Sequence, residues 1–181
     1  MKSLLLNTNR LELKIVQLSE LSEVHKLHST PEVDQYNTLG IPTNKEVTGV
    51  YLEEWVENFK MRKEFVFTIR LKVDNSFVGL ISLKIGNPKY KIGSLWYKLS
   101  PEFWSLGYAT EAAREVVRLG FEELNLHRIE AGCAVDNVGS IKVLEKIGML
   151  REGSKRKVLP LITGWADNYE YAILEEDWFK K

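Results

Sequence analysis

The sequence predicts an α/β (α+β) fold: one domain over residues 1–181, with a central mixed, mostly antiparallel sheet and helices on both faces. Three observations support it. Apolar residues recur at every second position in short runs along the chain, as in half-buried strands. Amphipathic helical segments lie between these runs. With 181 residues and 44% hydrophobic composition, the chain can bury a sizeable core, and it shows no repeat or linker.

The N-terminal elements are a strand and a helix. Alternating apolar positions in residues 10–16 predict the strand. A helix over residues 19–28 follows, with Ser19 as its cap. Pro31 is expected to end this helix. The segment from there to Pro42 is interpreted either as a surface connection or as a loop that shapes substrate access.

The central elements are a helix and three strands. Thr43 and Glu46 have the spacing of a capping box and predict the start of the helix. Its predicted core face consists of Val47, Tyr51, Trp55 and Phe59. Residues 65–71 and 77–85 predict a hairpin around an Asp-Asn-Ser turn, and residues 95–99 predict the next strand.

The following elements are a long amphipathic helix and a strand over residues 129–135. In this strand Gly132 and Ala134 are expected to leave room for a close approach. Asn137 is expected to cap a second helix that ends at Gly148. The predicted apolar face of that helix is Val138, Ile141, Leu144 and Ile147. Residues 155–159 and 169–174 then predict a closing antiparallel pair.

Composition excludes several classes of protein. Lys plus Arg and Asp plus Glu number 25 each, so net charge gives no reason to expect nucleic acid or membrane as a partner. Cys133 is the only cysteine, which excludes an intrachain disulfide and a cysteine-rich zinc site, and we expect it to be a small buried apolar residue. His25 and His28 are expected on an exposed helix, without metal-ligand spacing. Lacking a membrane-spanning or signal-peptide pattern, the chain is expected to be cytoplasmic.

The most informative stretch is residues 103–112, where an apolar run passes through a one-glycine turn into the long helix. Such a helix start points several backbone N–H groups at one spot, which suits a pyrophosphate. Taken alone, it fits an ordinary strand-to-helix turn equally well. The second capped helix begins about thirty residues later and again follows a strand, and the two helix starts together are far more specific than either alone.

Both motifs resemble the general N-acetyltransferase (GNAT) superfamily. Its pyrophosphate loop, Gln/Arg-x-x-Gly-x-Gly/Ala, looks like residues 104–109 here. Its ribosomal-protein-alanine N-acetyltransferase branch carries Asn-x-x-Ser…Leu-Glu-Lys-x-Gly-Phe, which looks like residues 137–149, and residues 165–178 also look like that branch. The resemblance implies a GNAT-like sheet that is splayed at the cofactor cleft, with acetyl-CoA as the acyl donor.

Three positions depart from the family pattern. Trp104 stands where the superfamily usually has Gln or Arg, and Ser105 stands where this branch commonly has glycine. Both changes bear on cofactor affinity, although backbone N–H groups provide most of a phosphate site. Leu144 stands where many members carry a tyrosine acid, which excludes a tyrosine acid at that position.

The resemblance also implies where the cofactor binds. Backbone groups of Tyr97, Lys98 and Leu99 are expected to hold the pantetheine arm, with an N–H near Leu99 polarising the thioester carbonyl. The pyrophosphate is expected on Trp104, Ser105, Leu106, Gly107, Tyr108, Ala109 and Thr110. Asn137 and Ser140 are expected beside the arm. The acceptor is expected between residues 27–40 and the loop of residues 160–167.

Ser140 is the predicted catalytic residue, as the proton donor to the departing thiolate. It lies in the first turn of a helix, whose dipole favours a developing negative charge. The alternative is that Ser140 has no catalytic role and only forms a hydrogen bond to the backbone at the start of the helix. No general base is identified, because Ser94 stands where the branch often has glutamate. Asp167, Glu170 or a water chain are the candidates.

These observations predict an acetyl-CoA-dependent N-acetyltransferase that acts on a primary amine, with a protein N-terminus as the first acceptor class. One alternative keeps the chemistry but takes a small amine, such as a polyamine or an aminoglycoside. Another is a non-catalytic acyl-CoA-binding sensor, suggested by the altered loop. The resemblance further implies a homodimer.

Overall fold

The computed structural model describes residues 4–180. Its strands are β1 (Leu5–Asn7), β2 (Leu11–Ile15), β3 (Glu64–Leu71), β4 (Phe77–Ile85), β5 (Ile92–Leu99), β6 (Arg128–Ala134), β7 (Leu150–Leu161) and β8 (Gly164–Leu174). Its α-helices are α1 (Leu21–His28), α2 (Pro31–Asp34), α3 (Lys45–Lys60), α4 (Tyr108–Arg118), α5 (Val138–Ile147) and α6 (Glu175–Phe179). No helix in this range is long and apolar enough to cross a membrane.

All described strands form one sheet in the order β1-β2-β3-β4-β5-β6-β8-β7. Only β5 and β6 run parallel, and they pair only where Ile92–Ser94 lies beside Arg128–Glu130. Beyond these pairs the two strands diverge toward Leu99 and Ala134, leaving a gap that we call the splay. The predicted fold, a mostly antiparallel mixed sheet splayed at one place, is therefore confirmed.

Helices cover the sheet on both faces and bury two separate apolar clusters. The larger cluster packs α4 and α5 against one face, and it includes Leu95 and Leu99 of β5. The smaller cluster packs α1 and α3 against the other face, where Trp55 and Trp96 meet. Successive residues of a strand point to opposite faces, so neighbouring residues of β5 serve different sides of the sheet.

Gly79 of β4 determines how closely β4 approaches the end of β5. It lies opposite Leu99, with a φ of +157°. A Cβ at this position would lie 2.1 Å from the carbonyl oxygen of Lys98. Only glycine fits, so this residue allows the end of β5 to take its position beside the splay.

Helix α3 begins one residue later than the sequence predicts. Asn44, not Thr43, caps it, and the Asn44 side chain accepts a hydrogen bond of 3.0 Å from the backbone N–H of Val47. Its buried residues are Thr48, Leu52 and Trp55, so the predicted stripe of Val47, Tyr51 and Phe59 is only half-buried. The prediction assumed that the large aromatic residues face the core. The helix face that packs against the sheet is the neighbouring one, which carries Thr48 and Leu52.

The region before α3 also differs from the prediction. A 3₁₀ turn over residues 18–20 precedes α1, so Ser19 lies inside the turn and caps nothing. Pro31 begins the short helix α2 because proline is tolerated at a first helical position. Strand β1 was not predicted, since three residues carry too little alternation to reveal a strand.

One prediction about the last elements is wrong. Val138 is 56% exposed, although Leu144 and Ile147 of α5 are buried as predicted. Gly132 does allow a close approach, by the side chain of Asn168, because a Cβ there would lie 2.7 Å from the Asn168 side-chain nitrogen. Gly148 ends α5 in the left-handed conformation, as predicted.

Candidate active site

The loop between β5 and α4 presents a row of unpaired backbone N–H groups. Gly107 precedes α4 with a φ of +83°, and Ser105 is also left-handed, with a φ of +60°. Within residues 4–180, no N–H from Ser105 to Thr110 donates to a protein acceptor. Ser105 thus adopts a conformation that glycine would take without strain. A row of free N–H groups at a helix N-terminus is suited to an anion.

Arg10, just before β2, holds this loop in place. Its Nε donates to Glu111 Oε2 and its backbone N–H to Glu111 Oε1, both at 2.7 Å. Its Nη1 donates to the carbonyl of Leu106 at 3.1 Å, and its guanidinium carbon lies 4.4 Å from the centre of the Tyr108 ring. Sequence reasoning missed Arg10 because its partners are about a hundred residues away.

Glu111 also holds the loop in place, and Thr8 is its second hydrogen-bond donor besides Arg10. The Thr8 hydroxyl donates to Glu111 Oε1 at 2.6 Å. Burial opposes ionisation of the carboxyl, but the hydrogen bonds from Thr8 and Arg10 outweigh burial, so the pKa of Glu111 lies below its ordinary value. Glu111 is therefore a structural carboxylate on the side of the loop facing the N-terminal strands.

An open cavity of about 430 Å³ lies beside the start of α4. Its lining residues are Thr8, Gly107, Thr110, Glu111, Arg114, Glu115 and Lys146. Arg114 and Lys146 bring two positive charges to this cavity, and Arg114 also donates to the carbonyl of Lys146 at 3.0 Å, which ties α4 to the end of α5. The lining also holds two carboxylates, but Glu111 pairs with Arg10 and Glu115 with Arg118, so Arg114 and Lys146 are the charges that this cavity can offer to an anion.

Trp104 binds the end of β5. Its indole Nε1 donates to the carbonyl oxygen of Leu99 at 2.7 Å. The residue that replaces the family's Gln or Arg thus fastens the loop to the strand that lines the splay. Because Leu99 uses its carbonyl in this way, the free backbone group that it offers to the splay is its N–H.

The backbone direction of β5 follows from its pairing with β4. The N–H of Ser100 donates to the carbonyl of Val78 at 2.9 Å, so the backbone groups of Ser100 point toward β4. In an antiparallel pair, alternate residues point their N–H and C=O groups away from the partner strand. Leu99 and Tyr97 therefore direct their backbone groups into the splay.

Helix α5 begins on the other side of the splay. Asn137 caps it by accepting a hydrogen bond of 3.0 Å from the N–H of Ser140, as predicted. The Ser140 hydroxyl makes no hydrogen bond to any residue in the range 4–180, whereas the Ser140 carbonyl accepts one of 3.4 Å from the hydroxyl of Tyr97. Tyr97 thus bridges the splay, and burial raises the pKa of its phenol, which keeps it protonated.

Cys133 of β6 lies near the same place. It is buried, as predicted, and burial is the main cause that raises the pKa of its thiol to about 11, with the charge of Glu145 adding to the shift. The thiol therefore stays neutral. Residues 4–180 hold no cluster of His, Cys, Asp or Glu that could bind a metal ion.

Comparison with known proteins identifies the family. The model of the acetyltransferase (GNAT) domain matches residues 10–150. The Bacillus subtilis protein named uncharacterized N-acetyltransferase YnaD is 33% identical over 175 residues, covering 96% of this chain and 98% of its own. The chain belongs to the GNAT acetyltransferase family. It is therefore an acetyl-CoA-dependent N-acetyltransferase, a member of a family that typically binds CoA.

Solved structures agree with this assignment. A GNAT acetyltransferase from Bacillus anthracis is 32% identical, with a TM-score of 0.83 and coverage of 96% of this chain and 99% of that chain. RimL, a ribosomal L7/L12 alpha-N-protein acetyltransferase in complex with coenzyme A, has a TM-score of 0.87 at 19% identity, covering 94% and 98%. At that identity, the likeness to RimL concerns the fold.

In this acetyltransferase the two candidate bases on β8 are already engaged. Asp167 accepts a hydrogen bond of 2.9 Å from the backbone N–H of Lys157. Glu170 accepts from the side chain of Asn168 and forms an ion pair of 3.3 Å with Lys155. Both carboxylates therefore hold the β7–β8 hairpin together, and their geometry gives neither a special claim to a catalytic role.

The expectation that His28 lies exposed is wrong. His28 is 2% exposed and packs edge-on against Trp55, with 5.9 Å between ring centres. Burial, followed by the charges of Lys98 and His25, lowers the pKa of His28 to about 3. The error arose because helix periodicity leaves the outer rows of α1 ambiguous, and α3 covers the row that contains His28.

Proposed function

We propose that this acetyltransferase moves the acetyl group of acetyl-CoA to a primary amine, with a protein N-terminus as the first acceptor class. The observation that carries the proposal is the row of unpaired N–H groups from Ser105 to Thr110 at the edge of the splay. Such a row fits a pyrophosphate, and the adjoining gap between β5 and β6 is where an extended arm can bond to strand backbone.

The residues present fit acetyl-CoA along this path. The backbone of Trp104, Ser105, Leu106, Gly107, Tyr108, Ala109 and Thr110 would hold the pyrophosphate. The middle of α4 adds the positive charge of Arg114, and the end of α5 adds that of Lys146. The backbone groups of Tyr97 and Leu99 that point into the splay would hold the pantetheine arm. The backbone of Lys98 connects these two residues. Asn137 would contact the arm while capping α5.

The chemistry follows from what these groups can donate. Acetyl-CoA supplies an acetyl thioester, and the Leu99 N–H would donate to the carbonyl oxygen on which negative charge develops. As the amine nitrogen bonds to the carbonyl carbon and the C–S bond breaks, the free hydroxyl of Ser140 would give a proton to the sulfur, and the proton lost by the amine would restore the hydroxyl through water. The N-terminus of α5 favours negative charge at the same place. Trp104 supports this arrangement by holding the Leu99 carbonyl, which fastens the end of β5 beside the splay.

A thiol-release screen with acetyl-CoA tests the proposal. The acceptors are peptides with free N-termini, polyamines and aminoglycosides, and the blank is a peptide whose N-terminus is already acetylated. Release with free peptides supports a protein N-terminus as acceptor. Release only with polyamines or aminoglycosides assigns the alternative small-amine class. Thermal stabilisation by acetyl-CoA without release across the whole panel contradicts catalysis and identifies a sensor.

A further inference from the structure

The side chain of Lys98 lies on the opposite sheet face from that of Tyr97. It belongs to the row that includes Trp96, on the face covered by α1 and α3. Its Nζ is buried and has no hydrogen-bond partner among residues 4–180. Lys98 also immediately precedes Leu99, so its side chain leaves β5 next to the proposed thioester position, on the sheet face opposite α4.

A second unpartnered nitrogen lies in the same place. His28 Nε2, on the last residue of α1, is also buried without a partner in the described chain. His28 packs against Trp55, and Trp55 contacts Trp96, which shares a sheet face with Lys98 two residues further along β5. The charge of Lys98 also contributes to the lowered pKa of His28. Within residues 4–180 these are the only two buried side-chain nitrogens or oxygens of this kind, so their adjacency marks one site.

Within residues 4–180, no carboxylate forms an ion pair or hydrogen bond with Lys98 Nζ. Burial lowers the pKa of Lys98 to about 8, and the charge of Asp34 on α2 partly opposes this. Lys98 nonetheless forms no ion pair with Asp34, whose Oδ1 accepts instead from the side chain of Asn37 at 3.0 Å. A buried ammonium without an anion is costly, and a ligand that brings an anion would remove this cost.

We propose that Lys98 and His28 form a subsite for a carboxylate that the acceptor carries close to its reacting amine. Lys98 offers an ammonium, and neutral His28 can offer one ring N–H, so two donors match the two oxygens of a carboxylate. The inference rests on the proposed function and narrows its substrate class. A peptide with an acidic residue near its N-terminus and a free amino acid share this chemistry, whereas polyamines and aminoglycosides lack it.

Matched acceptor pairs test the subsite. One pair is a peptide beginning Ser-Asp and the same peptide beginning Ser-Asn, both with amidated C-termini; the other is a free amino acid and its amide. The variant is Lys98→Met, which keeps the length of the stem. Lys84→Met is the control because it removes an exposed lysine from the neighbouring strand β4.

We expect the wild type to prefer the carboxylate member of at least one pair. Lys98→Met should raise KM for that member roughly ten- to a hundredfold, as expected for a lost hydrogen bond to a charged group, and should change KM for the neutral member little. His28→Phe should reduce the preference in the same direction, and Lys84→Met should not. The pair that shows the preference distinguishes a peptide from a free amino acid.

Two results would overturn the inference in different ways. If the wild type releases thiol with peptides but treats both members of each pair alike, the carboxylate subsite is wrong and the proposed function stands. A preference for polyamines contradicts the subsite and assigns the alternative small-amine class. An equal loss with both members in Lys98→Met also contradicts the subsite, because it indicates a purely structural lysine. If no acceptor gives release, the proposed function fails and the subsite fails with it.

Discussion

Arg10 and Glu111 are 101 residues apart in the sequence and are joined by two hydrogen bonds of 2.7 Å. This pair fastens the N-terminal strands to the first turn of α4, and Arg10 additionally holds the Leu106 carbonyl. The proposed pyrophosphate loop therefore depends on a side chain outside it. Since Trp104 replaces the polar side chain usual in the family, the conformation of the loop relies on Arg10 and on the bond from Trp104 to Leu99.

The first prediction concerns Arg10. Arg10→Met should raise KM for acetyl-CoA roughly tenfold, because it removes charge-assisted hydrogen bonds that position the loop. The value of kcat at saturating acetyl-CoA should change little, because Arg10 does not touch the reacting atoms. Steady-state kinetics with acetyl-CoA varied measure both. Arg128→Met is the control, since it removes an arginine that pairs with two glutamates elsewhere; an equal KM change there would contradict the assignment.

The second prediction concerns Glu111 and pH. Its folded-state pKa lies below its ordinary value of 4.5, so the unfolded state binds the proton more tightly. The stability that this carboxylate contributes is present above about pH 4.5 and is lost as pH falls through the folded pKa. Denaturant unfolding of the wild type and Glu111→Gln should therefore differ at pH 7 and converge in strong acid. A difference that stays constant with pH would count against an ionised Glu111.

The third prediction concerns Ser140. Ser140→Ala should lower kcat by roughly 10² to 10⁴ if the hydroxyl is the proton donor, and KM for acetyl-CoA should change little. The variant keeps the backbone N–H that Asn137 accepts, so the helix cap survives. Tyr97→Phe is the companion, because its hydroxyl only meets the Ser140 carbonyl. Turnover close to normal in Ser140→Ala, or a greater loss in Tyr97→Phe, would transfer the role away from Ser140.

The fourth prediction concerns His28. Its pKa is about 3 in the folded state and 6.5 ordinarily, so between these values the unfolded state binds one more proton. Stability should fall as pH drops from 6.5 toward 3, with a slope from this group on the order of 1 kcal/mol per pH unit. His28→Phe should remove this part of the acid dependence. His127→Phe, at an exposed histidine, should not; identical profiles for the wild type and His28→Phe would refute the buried neutral ring.

The fifth prediction concerns Gly107. Gly107→Ala should cost about 1 kcal/mol of folding free energy because alanine is strained at positive φ. Its new Cβ would lie 3.4 Å from Arg10 Nη2, so thermal stabilisation by CoA should also decrease. Gly153→Ala is the control, because that glycine has open space and no positive φ. Full CoA stabilisation in Gly107→Ala would argue against this loop as the pyrophosphate site.

Sequence patterns predicted the parts of the fold that depend on local chemistry. The hairpin of β3 and β4 and the caps at Asn137 and Gly148 follow from turn residues and alternation, and all appear in the structure. Asn44 was missed because Thr43 is an equally good cap by residue type. Helix α3 could not be oriented because which stripe is buried depends on the sheet that it meets.

The candidate site divides in the same way. The loop and the start of α5 were recognisable because their glycine, asparagine and small residues are constrained by backbone geometry. The contributions of Arg10, Thr8 and the side chain of Lys98 were not recognisable, because each depends on contacts far along the chain. His28 was misplaced for the same reason: its burial comes from a neighbouring helix.

The splay between β5 and β6 has a mechanical consequence for the sheet. Only three residue pairs join the two strands, and beyond Ser94 and Glu130 the edges facing each other lack a partner. An extended ligand arm lying there would act as an inserted strand and restore the missing ladder on both sides. Occupancy of the gap would then couple β1 through β5 to β6 through β8 as one mechanical unit, and amide hydrogen exchange should slow on both edges together when the gap is filled.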